Sequence, residues 1–128
     1  MRIYLAGPMS GIANFNYPAF HKAAAELRAQ GFEVFSPAEA DIERHGADIS
    51  NGNASGCVKQ AATEHGFNRR EAMAIDLAWI CREADGIALL PGWRHSSGAR
   101  AEKAVAEALG LYVHDLELVE DYRARCGR

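Results

Sequence analysis

The chain has few cysteines, no basic run, no long apolar stretch and no internal repeat. Each absence excludes something. Cys57, Cys81 and Cys126 are odd in number and widely spaced. That is neither a disulfide framework nor a zinc knuckle, and it fits a reducing cytoplasm. The five histidines show no ligand spacing such as H-E-x-x-H, so no metal site is expected. No apolar run reaches the ~18 residues of a membrane span. The opening "MRIYLAGPMSG" turns polar too early for a signal peptide. A cytoplasmic protein with no membrane partner is the expectation. A net charge of −3 without a Lys/Arg cluster argues against a nucleic-acid partner. Neither G-x-G-x-x-G nor a Walker lysine is present, and no cofactor is expected.

What is present is a foldable chain. Its 128 residues are 48% hydrophobic and 9% aromatic, enough for one domain, 1–128, with a real core. "RIYLA", "FEVF", "GIALL" and "LYVHD" read as short buried strands. Between them lie helical patterns. Asn16 and Pro18 open the first, Phe20, Ala23, Ala24 and Leu27 form its apolar face, and Gly31 stops it. A second helix starts at Asn68 and carries two stripes. Met73, Leu77, Ile80 and Ala84 form one, and Ala72, Ile75 and Trp79 form the other. The second stripe suggests burial by another subunit, as a homodimer or dimer of dimers. Asp76 falls between the stripes. A helix over about 99–109 and a terminal one in "LELVEDYRARC" complete the order.

Apolar strands alternating with helices imply an α/β fold. The expectation is a flavodoxin- or Rossmann-like three-layer sandwich, with a parallel sheet of four or five strands in order 2-1-3-4. Residues 38–68 contain four glycines and no sustained period. They read as a loop insertion, either a functional lid or a tolerated surface excursion.

In this topology ligands bind beyond strands 1 and 3, where the strand order reverses. That rule joins two loops. One is Gly7, Pro8, Met9, Ser10 and Gly11; the other carries Trp93, Ser96, Ser97, Gly98 and Arg100. Small residues and free helix N–H groups suit an anion such as phosphate. Trp93 has two readings, stacking on a ligand or covering its loop. Glu102 sits in the first turn of the following helix, beside a buried stripe of Ala101, Ala104, Val105, Ala108 and Leu109. There the dipole keeps it ionised, which suits a nucleophile. Asp76, between apolar stripes, is expected to be desolvated, with a raised pKa that suits a general acid. Carboxylates pushed in opposite directions are a pattern of glycosidic bond cleavage. Each residue also has a plainer reading: a first-turn acid, a helix-surface aspartate, capping serines.

The stretches "IYLAGPMSG", "AIDLAWICREADGIALLPGW" and "SSGARAEKAVAEALG" together resemble the nucleoside 2-deoxyribosyltransferase superfamily. They are most similar to its small, often phage-borne members and to the 2′-deoxynucleoside 5′-monophosphate N-glycosidases. The resemblance covers most of the chain outside 38–68. It implies that Glu102 attacks the anomeric carbon, that Asp76 assists departure of the base, and that Tyr4 orients the nucleophile. Ser96 matches a phosphate-binding serine. Arg100 replaces the family's second glycine, and Pro8 and Ser10 stand where phosphate-binding members often have Ser and Arg. The implied activity is hydrolysis of the base–sugar bond of a (2′-deoxy)nucleoside 5′-monophosphate. Base exchange and non-catalytic nucleotide binding are the alternatives.

Overall fold

A computed structural model describes residues 1–117; the expected terminal helix and Cys126 lie outside the described residues. Four strands form one parallel sheet: β1 (Arg2–Ala6), β2 (Glu33–Phe35), β3 (Gly86–Leu89) and β4 (Tyr112–Asp115). Their order is β2-β1-β3-β4, as the alternation of elements predicts. Tyr4 pairs with Ile87 on one side and Phe35 on the other.

The pleat of β1 divides the core in two. Ile3 and Leu5 face a cluster with Phe20, Ala24 and Leu27 of α1 (Tyr17–Ala29). Tyr4 and Ala6 face the opposite layer, formed by α4 (Arg69–Arg82) and α5 (Ser97–Ala108). This is the period-2 alternation of a strand buried on both faces.

The helix boundaries have local causes. Gly31, at φ 95, follows the end of α1. Asn68 caps α4 by accepting from Glu71 N–H. Asn16 does not cap α1; it is left-handed itself, and its Nδ2 donates to Pro8 O at 3.0 Å.

Residues 38–68 are not a bare loop. They hold most of α2 (Pro37–His45) and all of α3 (Val58–His65). The glycines that hide these helices from a periodicity search are their punctuation: Gly46 and Gly66 are left-handed C-terminal caps. The segment also packs inward, since Ala38, Ile49 and Ala61 belong to the α1-side core. It is fastened to the loop after β1 by Gly11 N–H to Gly56 O and Asn14 N–H to Asn53 O, both 2.9 Å.

Two helix faces differ from expectation. On α4 the buried line is Ala72, Asp76 and Ile80. Trp79 stacks on Phe35 at 5.0 Å between ring centroids, so the chain itself covers two of the three residues expected at a subunit contact. Only Ile75 is exposed. On α5 the buried line is Ala99, Glu102 and Ala106, while Ala101, Ala104, Ala108 and Leu109 are exposed. Alanine fits either side of a helix, so an alanine-rich sequence supports two stripes. The true one runs through an acid.

Gly56 tests the fastening. It is left-handed (φ 65), and a Cβ there would overlap the Ile12 carbonyl oxygen. Gly56→Ala is expected to cost at least ~2 kcal/mol in denaturant unfolding. A loss below ~0.5 kcal/mol would show that the segment is not held there.

Candidate functional site

The loop after β1 and the start of α5 meet at the C-terminal edge of the sheet, where a cleft of about 200 Å³ opens. Its walls include Gly7, Pro8, Met9 and Ser10 from the first loop and Ser96, Ser97 and Gly98 from the second. Gly7 is required by contact, because a Cβ would lie 2.8 Å from Leu90 Cβ. Ser96 is the N-cap of α5, its Oγ accepting from Ala99 N–H at 3.1 Å. A capping hydroxyl still has its own proton to donate.

Tyr4, Asp76 and Glu102 also line the cleft. Tyr4 is fully buried and its hydroxyl donates to Glu102 Oε2 at 2.6 Å. Asp76 is 7% and Glu102 6% exposed. Oδ1 of Asp76 has no hydrogen-bond partner among the described residues.

Burial sets the protonation of this group. Desolvation lifts Asp76 from 3.8 to about 7, with the Asp41 charge adding to it. Desolvation also lifts Glu102 from 4.5 to about 8, against the hydrogen bond from Tyr4. The Tyr4 phenol is held well above its ordinary value by burial and then by the two acids. The expectation that the helix dipole keeps Glu102 ionised is therefore overturned. α5 begins at Ser97, so Glu102 lies in its second turn, beyond the free N–H groups, and desolvation dominates. The two carboxyls are not pushed in opposite directions. Both are raised by burial, and each is raised further by a neighbouring acid: Asp41 acts on Asp76, and Asp76 on Glu102.

Three expected site residues lie elsewhere. Trp93 covers its loop: Nε1 donates to Asp115 at 3.2 Å, and Arg94 and Lys103 lie over its ring. Arg100 donates to Arg94 O at 2.8 Å, which turns it away from the cleft walls. Gly11 is spent on Gly56.

Other residues enter that the sequence did not single out. Arg69, in the first turn of α4, lines the cleft, and its Nη2 donates to Ser97 Oγ at 3.4 Å. It forms no ion pair among the described residues, so a cation is left at the serine-lined end. Phe15 and Phe67, 6.2 Å apart and stacked, line the cleft as well. Phe15 sits in a run of three left-handed residues, Asn14, Phe15 and Asn16 (φ 53, 52 and 59). Asparagine tolerates this region, so the cost, ~1–2 kcal/mol, falls mainly on Phe15. Asp41, also buried, accepts from Tyr17 Oη at 2.9 Å. The acid falls on α2, inside the segment whose glycines mask its periodicity.

An α/β domain with a buried carboxyl pair at the strand-order reversal is the class that fold and site define. Residues 1–115 match the family described as Domain of unknown function (DUF4406), and the chain belongs to it. No curated protein and no solved structure matches it. No helix among the described residues is long and apolar enough to cross a membrane.

The raised carboxyls bear on stability. The folded chain holds protons that an unfolded chain releases near pH 4, so stability falls as pH rises from about 4 to about 8 and then levels. At ~1.4 kcal/mol per pH unit, the rise of Glu102 from 4.5 to about 8 accounts for up to roughly 5 kcal/mol of that fall. Glu102→Gln is neutral throughout, so its stability relative to wild type is expected to increase between pH 5 and 8.5 in denaturant titrations. A difference that stays flat across that range would contradict the raised pKa.

Proposed function

We propose that the protein is an N-glycosidase acting on (2′-deoxy)nucleoside 5′-monophosphates. The observation that carries this reading is the 2.6 Å hydrogen bond from buried Tyr4 to Glu102, beside a second raised carboxyl, Asp76. Glu102 is held by one oxygen, and no hydrogen bond reaches Oε1 among the described residues. In the proposed reaction the reactive complex holds a single proton on the carboxyl pair, on Asp76, the Glu102 proton having been lost to solvent. The ionised Oε1 then attacks C1′ as the C1′–N bond breaks. The Asp76 carboxyl gives its proton to the departing base nitrogen. Water then attacks C1′ of the glycosyl ester, loses its proton to Asp76 and frees Glu102. Protonated Asp76 is well populated up to about pH 7, as a general acid requires. Cationic character at C1′ favours the ionised form of Glu102 in the transition state.

The serine-lined end supports a phosphate. Ser96, Ser97 and Gly98 open α5, whose first-turn N–H groups lack helical acceptors. Arg69 supplies positive charge there without a carboxylate competing for it.

Glu102→Ala is expected to abolish release of free base, measured by chromatography, while nucleotide binding survives. A 2-fluoro sugar analogue is expected to leave a covalent adduct on Glu102. Retention of more than about a tenth of the rate would falsify the nucleophile role, since a lost covalent route costs well over ~1.4 kcal/mol of barrier.

A deoxynucleoside monophosphate is expected to react at least ~100-fold more efficiently than the nucleoside, a gap of ~2.7 kcal/mol. Arg69→Ala and Ser96→Asp are both expected to narrow that gap, the first by removing a cation and the second by adding a repelling charge. Equal turnover with and without phosphate, or base exchange outpacing hydrolysis when a second base is supplied, would reassign the activity to base transfer.

A further inference from the structure

The chemistry proposed above uses one part of the cleft. The remainder has different walls. Phe15, Ile49, Val58 and Phe67 are apolar, and three of the four belong to the segment between β2 and α4. A largely apolar wall carrying few polar groups suits a heterocycle. The acid in these walls is Asp41, on α2 and 5% exposed.

The hydrogen bonding of Asp41 is half complete. Oδ2 accepts from Tyr17 Oη at 2.9 Å, and Oδ1 accepts from Arg44 Nη2 at 3.0 Å. A carboxylate has about four lone-pair sites, two on each oxygen. One protein donor on each oxygen leaves one acceptor site on each. Both donors favour the charged carboxylate, against the burial that raises its pKa. In the same cleft, the buried Oδ1 of Asp76 has no partner among the described residues. Buried polar atoms are nearly always satisfied, so this orphan, in the cleft that Asp41 also lines, points to a ligand group bound there.

We propose that the α2–α3 half of the cleft is a base subsite selecting a heterocycle with two adjacent N–H donors, a ring N–H beside an exocyclic amine as in guanine, and that Asp41 is the group that reads them. This rests on the nucleotide reading of the cleft. The selectivity follows from what a carboxylate lacks: ionised, it accepts and does not donate. Guanine offers it two neighbouring donors. Hypoxanthine offers the ring N–H alone. Thymine offers one N–H flanked by two carbonyl oxygens, which face the charge unfavourably. Adenine and cytosine place an acceptor nitrogen beside the amine. The plainer role for Asp41 is to tie α2 to α1 through Tyr17, and that role predicts no preference among bases.

The test uses ligands that differ by one group. Binding of dGMP, dIMP and dTMP to the full chain carrying Glu102→Ala is measured by calorimetry, so that turnover does not intervene. Release of base by the wild type is followed in parallel. The expected result is dGMP bound at least ~10-fold more tightly than dIMP and ~100-fold more tightly than dTMP, as loss of one charge-assisted hydrogen bond, and in dTMP the added repulsion of the flanking carbonyls, implies. Adding Asp41→Asn is expected to bring dGMP within ~3-fold of dIMP, because the amide presents a donor where the base needs an acceptor.

Equal binding of dGMP and dIMP overturns the proposal, as does unchanged discrimination in the Asp41→Asn protein. If Asp41→Asn does not fold, the dGMP–dIMP comparison still decides, since it alters only the ligand. The two readings fail differently. Binding in the expected order without base release leaves the subsite standing and removes the glycosidase. Release from every nucleotide at one rate, with equal binding, does the reverse. Absence of binding by all three nucleotides removes both.

Discussion

The hydrogen bond from Tyr4 to Glu102 joins the middle of the sheet to the helix that covers it, and the site follows from it. It forms because β1 is pleated: Ile3 and Leu5 turn to the α1 side, Tyr4 and Ala6 to the α4–α5 side. Phe35 and Trp79 pack on the phenol, with ring centroids 5.6 and 6.4 Å away, so the hydroxyl has little freedom. A glutamate on the buried line of α5 meets a fixed donor and loses its water. The same burial that raises its pKa to about 8 leaves its orientation set by the Tyr4 hydroxyl. A one-residue slip of β1 would turn Tyr4 to the wrong layer and undo the arrangement.

A fold optimised only for stability would not contain this cleft. Asp41, Asp76 and Glu102 are three buried acids within one small volume, and two of them sense another's charge. Three consecutive left-handed residues hold Phe15 at the wall. Each feature is destabilising in isolation. They are carried by a surrounding core that is apolar and continuous on both faces of the sheet. Such a concentration of unfavourable terms in a cleft is what a site under functional constraint looks like, because nothing in packing calls for it.

The legibility of these features in the sequence follows their physical range. Strand order was readable because apolar runs alternate with helical periods over the whole chain. The burial of Asp76 was readable because it lies between two apolar stripes of α4. The ionisation of Glu102 is hidden by two local points. Ser96 caps α5 and so starts the helix early, which removes Glu102 from its first turn. An alanine-rich helix also does not declare which face is inside. Asp41 and Arg69 are hidden in the sequence for other reasons. Asp41 lies on a nine-residue helix ended by Gly46, too short for periodicity to register. Arg69 stands in the first turn of α4, where a cation opposes the dipole; its reason is the neighbouring Ser97 hydroxyl, 28 residues away in the chain. Long-range partners of this kind have no local signature.

In the proposed reading, the two halves of the cleft stand on two kinds of chain. Tyr4, Asp76 and Glu102 stand on a strand and two helices of the parallel sandwich, where backbone hydrogen bonds and core packing fix them. Asp41, Ile49 and Val58 stand on the segment between β2 and α4, fastened at Gly56 and Asn53 by two backbone hydrogen bonds to the loop after β1. Groups that break a bond must hold their geometry closely, and rigid elements supply that. Groups that recognise a ligand can vary with the segment that carries them, provided the fastening survives. On the proposed reading, the pair of backbone contacts at Gly11 and Asn14 is the joint between the half that cleaves and the half that recognises. Changes within the segment can alter what enters the cleft without moving the Tyr4–Glu102 pair, whereas changes at the joint disturb both.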